Sequence, residues 1–260
     1  MKTRLLILPG SMFMLLAVTL ACKKSSSSDA TVTATSTITT VGTGVPDVYK
    51  KIYGATDIYV DGDYVVIKST NLPDHKSPYY QNTKWASVKY EAYTGTNPNW
   101  SQNPNVIAEN DATYRIPLHP VATASHASTP LGAMGIAING VAIFNQYAAM
   151  RAPLTNEVNG FDQYGGHPQQ SGAYHYHAEP YYITTTKGKD ALIGFLLDGF
   201  PVYGTTENGK LITNADLDVY HGHTSATADY PAGVYHYHIT SADPYINGNG
   251  YYGTPGTVSQ

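Results

Sequence analysis

The feature that most constrains this chain is a four-residue motif, Tyr-His-Tyr-His, that occurs twice. It stands at residues 174–177 and again at residues 235–238. In an extended strand successive side chains point to opposite faces, so both histidines of each motif project to one side and both tyrosines to the other. On a helix, residues two apart do not face each other. Each motif therefore predicts a β-strand that presents a pair of imidazoles.

The motif is part of a longer internal repeat. Residues 135–145 align with residues 194–204, and apolar residues flank Asn139-Gly140 in the first segment and Asp198-Gly199 in the second. Such dipeptides indicate hairpins, because both central positions of a type I′ turn need positive φ. A Gly-His pair, ending at His167 or His223, precedes each tetrad. We therefore predict two repeat units, at about 131–178 and 190–239, packed with a pseudo-two-fold arrangement.

The rest of the chain fits an all-β fold. Tyrosine is abundant at 23 residues, glycine and proline number 24 and 16, and no long apolar pattern of helical period is present. Asp61-Gly62-Asp63 predicts a hairpin turn between strands at residues 57–68. Pro201 predicts that the second hairpin's outer strand lies at a sheet edge. We expect one β-rich domain with long loops over residues 46–260.

The N-terminus has the pattern of an export signal. Lys2 and Arg4 precede an apolar run, and Ala21 stands directly before Cys22, the single cysteine. This pattern resembles a bacterial lipoprotein signal over residues 1–21, with Cys22 as the lipidated residue. Residues 22–45 are rich in Ser and Thr and predict a disordered tether. We expect an exported protein anchored in the cell envelope, on an outer-membrane, periplasmic or surface face.

Charge and cysteine content narrow the range of partners. The net charge is −4, and it becomes more negative when Lys2 and Arg4 are removed with the signal. An acidic balance argues against nucleic acid as a partner. With Cys22 lipidated, no cysteine remains for a disulfide, so the fold depends on its core or on something bound.

Several segments together resemble the bacterial YHYH domain family. They include residues 70–75, residues 135–144, both Gly-His pairs, both tetrads and residues 198–204, and the resemblance covers about residues 57–256. The family is named for its motif, and its activity is not established. Members often carry cysteines near the Gly-His positions, where this chain has Tyr164 and Tyr220. The resemblance implies a shared fold and little chemistry.

The paired histidines predict transition-metal binding, with copper or zinc as the leading ions. His-x-His on a strand can direct two imidazoles at one ion, and a Gly-His histidine adds a third. Two arrangements remain open: two sites of three histidines, or one site of four. His75 could reach a site from the N-terminal hairpin. The predicted ligands are His175, His177, His236, His238, His167, His223 and His75.

Other interpretations also remain open. The six histidines of the repeats could form a hydrogen-bonded polar layer without an ion. An open three-histidine site could support metal-dependent hydrolysis or oxidation, although no catalytic residue or substrate is indicated and we favour a binding role over an enzyme. A third hypothesis is an adhesion or carbohydrate-binding module whose tyrosine and histidine strands are only structural.

Overall fold

A computed structural model describes residues 39–260, and these residues form an all-β fold. The predicted signal, Cys22 and most of the predicted tether lie outside the described residues. The strands belong to a five-stranded sheet, an eight-stranded sheet and a two-stranded ribbon. The five-stranded sheet has the order β1-β2-β3-β4-β15, with β1 at Thr40–Val41, β2 at Asp57–Asp61, β3 at Tyr64–Ser69, β4 at Ala112–Pro117 and β15 at Thr257–Ser259.

The eight-stranded sheet holds both repeat units. Its strands are β5 (Gly135–Ala137), β6 (Ala142–Ile143), β7 (Gly166–Pro168), β8 (Tyr174–Tyr176), β9 (Leu192–Leu196), β10 (Pro201–Tyr203), β13 (Gly222–Ser225) and β14 (Val234–His238). The ribbon pairs β11 (Thr206–Glu207) with β12 (Lys210–Leu211). The two α-helices are short, α1 at Ala86–Lys89 and α2 at Tyr181–Lys187.

In the eight-stranded sheet, the strands of the two predicted units follow the same order when each half is read from its outer edge to the centre. The full order is β13-β14-β10-β9-β5-β6-β8-β7, so each unit occupies one half and β9 meets β5 at the centre. There, Ile136 pairs with Phe195, its counterpart in the repeat, and Gly135 and Ala137 pair with Leu196 and Gly194. Exchanging the two units leaves this set of residue pairs unchanged, as the predicted pseudo-two-fold arrangement requires.

The two hairpins form at the predicted dipeptides, but with a different turn. Only the glycine of each pair has positive φ, 81° at Gly140 and 87° at Gly199. The amide of Gly140 donates to Ala137, and that of Gly199 donates to Leu196. These contacts fit a type I turn followed by a glycine in a G1 bulge, which needs one left-handed residue rather than two.

Two further expectations need correction. β10 lies inside the sheet between β9 and β14, because Pro201 is its first residue and its missing N–H removes no bond to β14. The predicted tether ends earlier than residue 45, since Thr40–Val41 pairs with β2 and Val45 is buried.

Both sheets contribute to one apolar core. Ile58 and Ile67 from the five-stranded sheet belong to the same buried cluster as Ile136, Phe195 and Val202 from the eight-stranded sheet. A sheet must cover its apolar face, and here each sheet contributes to covering the other. Within residues 39–260, no helix is long and apolar enough to cross a bilayer.

Candidate metal centres

The first centre lies at the β7 end of the eight-stranded sheet. His167 on β7 pairs directly with His175 on β8, and His177 follows β8 on the same face. The Nε2 atoms of His175 and His177 are 3.0 Å apart. Oε1 of Glu157 lies 3.1 Å from Nε2 of His167 and 3.7 Å from Nε2 of His177. Three imidazoles and one carboxylate therefore converge.

The second centre lies at the β13 end and repeats this plan. His223 on β13 pairs with His236 on β14, and His238 ends the strand. Nε2 of His236 is 3.1 Å from Nε2 of His223 and 3.2 Å from Nε2 of His238. Glu207 on β11 adds Oε1 at 3.4 Å from His236 and Oε2 at 3.5 Å from His223. In each centre the four ligand atoms lie within 4.8 Å of one another.

The main chain fixes the tautomer of the four tetrad histidines. In each ring Nδ1 faces a carbonyl oxygen, which can only accept, so Nδ1 carries the hydrogen. Nε2 of each neutral ring then holds a lone pair directed at the shared centre. The Nδ1 donors and their acceptors are His175 to Ala173 (3.2 Å), His177 to Asn145 (2.6 Å), His236 to Val234 (2.9 Å) and His238 to Gly204 (2.8 Å).

Two lone pairs 3.0 to 3.2 Å apart repel each other unless a cation lies between them. Protonation of a ring would also remove this repulsion, but it is unfavourable, because burial lowers the pKa of His175 well below its usual range and neighbouring imidazoles lower it further. Burial likewise lowers the pKa of His238 to about 4. Nitrogens about 2.0 to 2.1 Å from one ion lie about 2.9 to 3.4 Å apart. The observed spacing fits a bound metal ion.

A buried ligand atom without a partner supports the same conclusion. Nε2 of His167 is buried and makes no well-aligned hydrogen bond within residues 39–260, although Oε1 of Glu157 lies 3.1 Å away and the other ligand atoms of the first centre surround it. An unpaired buried polar atom is costly, and such atoms are uncommon in folded proteins. The donor set of three imidazoles and one carboxylate suits a first-row transition metal, so the residues present fit an ion.

Asn103 makes the first centre different from the second. Its Nδ2 lies 3.3 Å from Nδ1 of His167. The amide is oriented by two other bonds, because Oδ1 accepts from Asn105 and Nδ2 donates to the carbonyl of Pro168. Asn103 therefore favours the His167 tautomer with hydrogen on Nε2, which opposes metal binding through that atom. Within the described chain, Nδ1 of His223 has no hydrogen-bond partner.

The two glutamates were absent from the sequence prediction. They occupy unmatched positions, since Glu157 precedes its Gly-His histidine by 10 residues and Glu207 by 16. Glu157 comes from the 3₁₀ helix Glu157–Gly160, whereas Glu207 comes from β11 and accepts a hydrogen bond from Ser225. One signal could have found them, because each loop between hairpin and Gly-His pair contains a single glutamate.

The tyrosines of the tetrads project to the opposite face and have a structural role. Each hydroxyl is buried against a polar side chain from a turn or loop of the repeat. Burial raises the pKa of Tyr174, Tyr176 and Tyr237 well above the usual value, so these phenols stay protonated. Tyr174 donates to Asp162, Tyr235 to Asp218 and Tyr237 to Asp198, while Asn139 donates to Tyr176. Asp162 and Asp218 thus hold tyrosines and loop amides rather than imidazoles.

His75 is not part of either centre. It is buried on the tyrosine side of β8, where Nε2 lies 3.1 Å from the hydroxyl of Tyr176 and Nδ1 lies 2.8 Å from the carbonyl of Lys76. His175 and His177 point to the other face of that strand. The structure therefore brings together six of the seven predicted histidines and leaves His75 in the aromatic packing beside Tyr174 and Tyr182.

The strand order excludes a single four-histidine site. Four strands lie between β8 and β14, so the two tetrads are about 24 Å apart at the usual strand spacing. Residues that pair directly across the sheet lead from His175 through Ile136 and Phe195 to Pro201. Pro201 directly precedes the residue that pairs with Tyr237, so it lies on the same face of the sheet as the histidines of the second tetrad. Both centres therefore lie on one face of the sheet. The two clusters are therefore separate, and they are too far apart to form one two-metal site, which needs ions about 4 Å apart.

Each centre lies in the wall of a cavity. The first cavity has a volume of about 530 Å³ and includes His167, His175, His177 and Glu157 in its lining. The second has a volume of about 600 Å³ and includes His236, His238 and Glu207. Both volumes are in the range of small-molecule sites, so an ion at either centre is accessible to a ligand.

The fold and these centres define an all-β protein with two matched clusters of three histidines and one glutamate. A family model described as YHYH protein matches residues 113–211 and 204–249, which together span more than half of the chain and all eight cluster residues. The chain therefore belongs to the YHYH protein family. The match starts at residue 113, so the hairpin β2–β3 and His75 lie outside it. Searches of the curated proteins and of the solved structures find no match.

Proposed function

We propose that this protein binds two transition-metal ions, one at each cluster of three histidines and one glutamate. The observation that carries the proposal is the pairing of unprotonated Nε2 atoms at 3.0 and 3.2 Å, with each Nδ1 hydrogen directed to a carbonyl. Within each tetrad pair, a hydrogen-bonded polar layer would place a hydrogen between the two rings, and the main chain already holds the hydrogens of both rings elsewhere. An ion removes the repulsion between the lone pairs.

Zinc and copper(II) are the ions we favour. Imidazole binds both, and a carboxylate suits a divalent ion better than copper(I), which prefers sulfur ligands. Neither cluster includes a sulfur atom. Three nitrogens and one oxygen complete a tetrahedral shell, and so we rank binding, storage or transfer of the ion above catalysis.

The place of action in this proposal is the bacterial cell envelope. Residues 1–21 have the pattern of a lipoprotein signal, and Cys22 would carry the lipid that anchors the mature chain to a membrane. Metabolic labelling with a radioactive fatty acid tests this part separately. We expect label on the expressed wild-type chain and none on Cys22→Ala; equal labelling of both would contradict the anchor.

A metal-dependent hydrolase or oxidase is the second candidate. The observation that favours it is the pair of cavities, because an ion that expands its coordination shell could bind water or substrate there. Hydrolysis of a p-nitrophenyl ester by the zinc-loaded chain, compared with the metal-free chain, checks the hydrolytic version.

Metal stoichiometry tests the main proposal. We expect two equivalents of Zn²⁺ or Cu²⁺ in tag-free protein after loading and dialysis, measured by elemental analysis. His177→Ala and His238→Ala should each retain one equivalent, and the double variant should retain none, because each substitution removes one nitrogen from one cluster.

His119→Ala is the matched control. His119 is exposed and belongs to neither cluster, so this variant should still bind two equivalents. Metal content that is negligible in the wild type, or that is the same in the double variant, would end the metal-binding proposal.

A further inference from the structure

The second centre lies in a cavity whose wall also carries three lysines. Lys50 and Lys51 come from the 3₁₀ helix Tyr49–Lys51, and Lys187 ends α2. The 3₁₀ helix is held on the sheet by Tyr49, whose ring stacks on Phe195 at 4.3 Å. Two separate segments therefore bring lysines to the wall of the cavity that contains ligands of the second candidate centre.

The three acidic side chains of this cavity, Asp190, Glu207 and Asp229, equal the three lysines in number, so the lining has no net formal charge before an ion binds. Asp229 pairs with Lys51 and accepts a hydrogen bond from Tyr203, and Asp190 is the other aspartate in the lining. Lys50 pairs with Asp47, but both side chains are largely exposed, and such pairs are weak. Lys187 makes no ion pair with any residue of 39–260 and lies over the ring of Tyr53 at 5.1 Å. With a divalent ion beside Glu207, the cavity has a net positive charge.

The first cavity has a different chemistry. Among the described residues 39–260, no lysine or arginine lines it, and Glu157 is the single charged residue of its lining apart from the histidines. Amide side chains, among them Asn103, Asn105 and Asn156, make up much of its polar lining. The two centres share their ligand types, so the lysines are what would distinguish the ligands that reach the ions.

We propose that the second centre binds a small oxyanion, such as a carboxylate or a phosphate, which ligates the metal ion through one oxygen as a fifth ligand while Lys187 holds another oxygen. This inference rests on the proposed metal binding. A hard oxygen ligand suits zinc or copper(II), and an ammonium group pairs with the same anion in a charge-assisted hydrogen bond. The cavity volume of about 600 Å³ allows an anion of several carbon atoms.

Anion titration of the cobalt-loaded protein tests this proposal. His177→Ala leaves the second centre intact and His238→Ala leaves the first, so each can be loaded with Co²⁺ separately. Succinate and inorganic phosphate are then added in separate titrations, and the visible d–d absorption of Co²⁺ is recorded. We expect a saturable spectral change in His177→Ala at anion concentrations at least about tenfold lower than in His238→Ala. The anion with the lower dissociation constant identifies the carboxylate or the phosphate class.

Lysine variants supply the matched comparison. In the His177→Ala background, Lys187→Gln should weaken anion binding by about tenfold or more, as expected for one hydrogen bond between charged groups. Lys189→Gln should have no effect, because Lys189, which is exposed like Lys187, lies outside the cavity lining. Equal anion binding at both centres, or equal effects of the two lysine variants, would overturn the proposal.

The outcome separates this inference from the proposed function. Co²⁺ that binds the second centre but does not respond to either anion overturns the oxyanion proposal alone. If neither centre binds Co²⁺, Zn²⁺ or Cu²⁺, both proposals are overturned. Should His177→Ala not fold, Lys187→Gln and Lys189→Gln compared in the doubly loaded chain provide the same test.

Discussion

The two candidate metal centres have the same arrangement of strands and histidines but different surroundings. Both place three imidazoles on matched strands in matched register. Phe144, which stacks on His175 at 4.1 Å, is replaced at the equivalent position by Tyr203, whose hydroxyl bonds to Asp229. The first centre is thus enclosed by apolar rings and amides, and the second is connected to charged groups. The comparison teaches that the strands fix the ligand geometry while the loops decide what reaches the ion.

Chelation should produce the largest effect and should separate the centres. An ion present at about 1000 times its dissociation constant stabilises a fold by about 4 kcal/mol. For a domain of this size we expect removal of metal to lower Tm by roughly 8 to 16 °C. The first centre should lose its ion at lower chelator concentration, because Asn103 favours the opposing tautomer of His167.

The measurement combines thermal unfolding with metal content in His177→Ala and His238→Ala across a chelator series. Each variant reports on one centre. Loss of metal from both at the same chelator concentration would show that the contact with Asn103 has no effect on affinity.

Asp198 and Asn139 occupy equivalent turns and should differ in their response to pH. Burial raises the pKa of Asp198 from 3.8 to about 6, although hydrogen bonds from Tyr237, Gly253 and Phe200 act in the other direction. The folded state therefore holds this proton more tightly than the unfolded state, and the free energy of unfolding falls as pH rises from about 4 to about 6. The fall is about 2 to 3 kcal/mol.

The substitution Asp198→Asn places asparagine, the residue of the first turn, in the second turn. It should abolish the decrease in the free energy of unfolding between about pH 4 and pH 6. Urea unfolding of wild type and variant between about pH 4 and pH 7 checks it, and the difference between the two curves cancels the groups that both proteins share. Parallel curves would show that Asp198 does not titrate in this range. Asn139→Ala is the control, since it removes an amide that has no charge and should leave the pH profile unchanged.

Asn103→Asp should bring the affinity of the first centre closer to that of the second. A carboxylate would accept the Nδ1 hydrogen of His167 and select the tautomer that a metal ligand needs, an effect typically of about 10- to 100-fold in affinity. Competition between the His238→Ala protein, with and without this change, and a chromogenic chelator measures it. Asn105→Asp, a neighbour that does not contact His167, is the control. Unchanged or weaker binding in Asn103→Asp would refute the tautomer argument.

Sequence patterns predicted what depends on local geometry. The alternation of Tyr-His-Tyr-His fixed which side chains share a face, and the glycines at positions 140 and 199 marked both hairpins. The sequence left the four-histidine alternative open, because the number of strands between β8 and β14 depends on long-range pairing. Glu157 and Glu207 were missed because their loops differ in length and conformation. His75 was misassigned because a buried histidine among tyrosines has the same sequence appearance as a ligand.

Exchange of Tyr203 and Phe144 should have the smallest effect and sharpen the comparison most directly. Tyr203→Phe removes hydroxyl contacts to Thr227 and Asp229, both at 2.9 Å, and should lower the free energy of unfolding by about 1 kcal/mol. Phe144→Tyr adds a hydroxyl at a ring that lines the first cavity, and we expect a smaller change in the free energy of unfolding.

Both variants should keep two equivalents of metal, because these rings contact the imidazoles by their faces and edges rather than through oxygen. Denaturant unfolding and elemental analysis measure the two quantities. Loss of one equivalent in Tyr203→Phe would show instead that this hydroxyl helps to hold the ion, and the two centres would then differ in their ligands as well as in their surroundings.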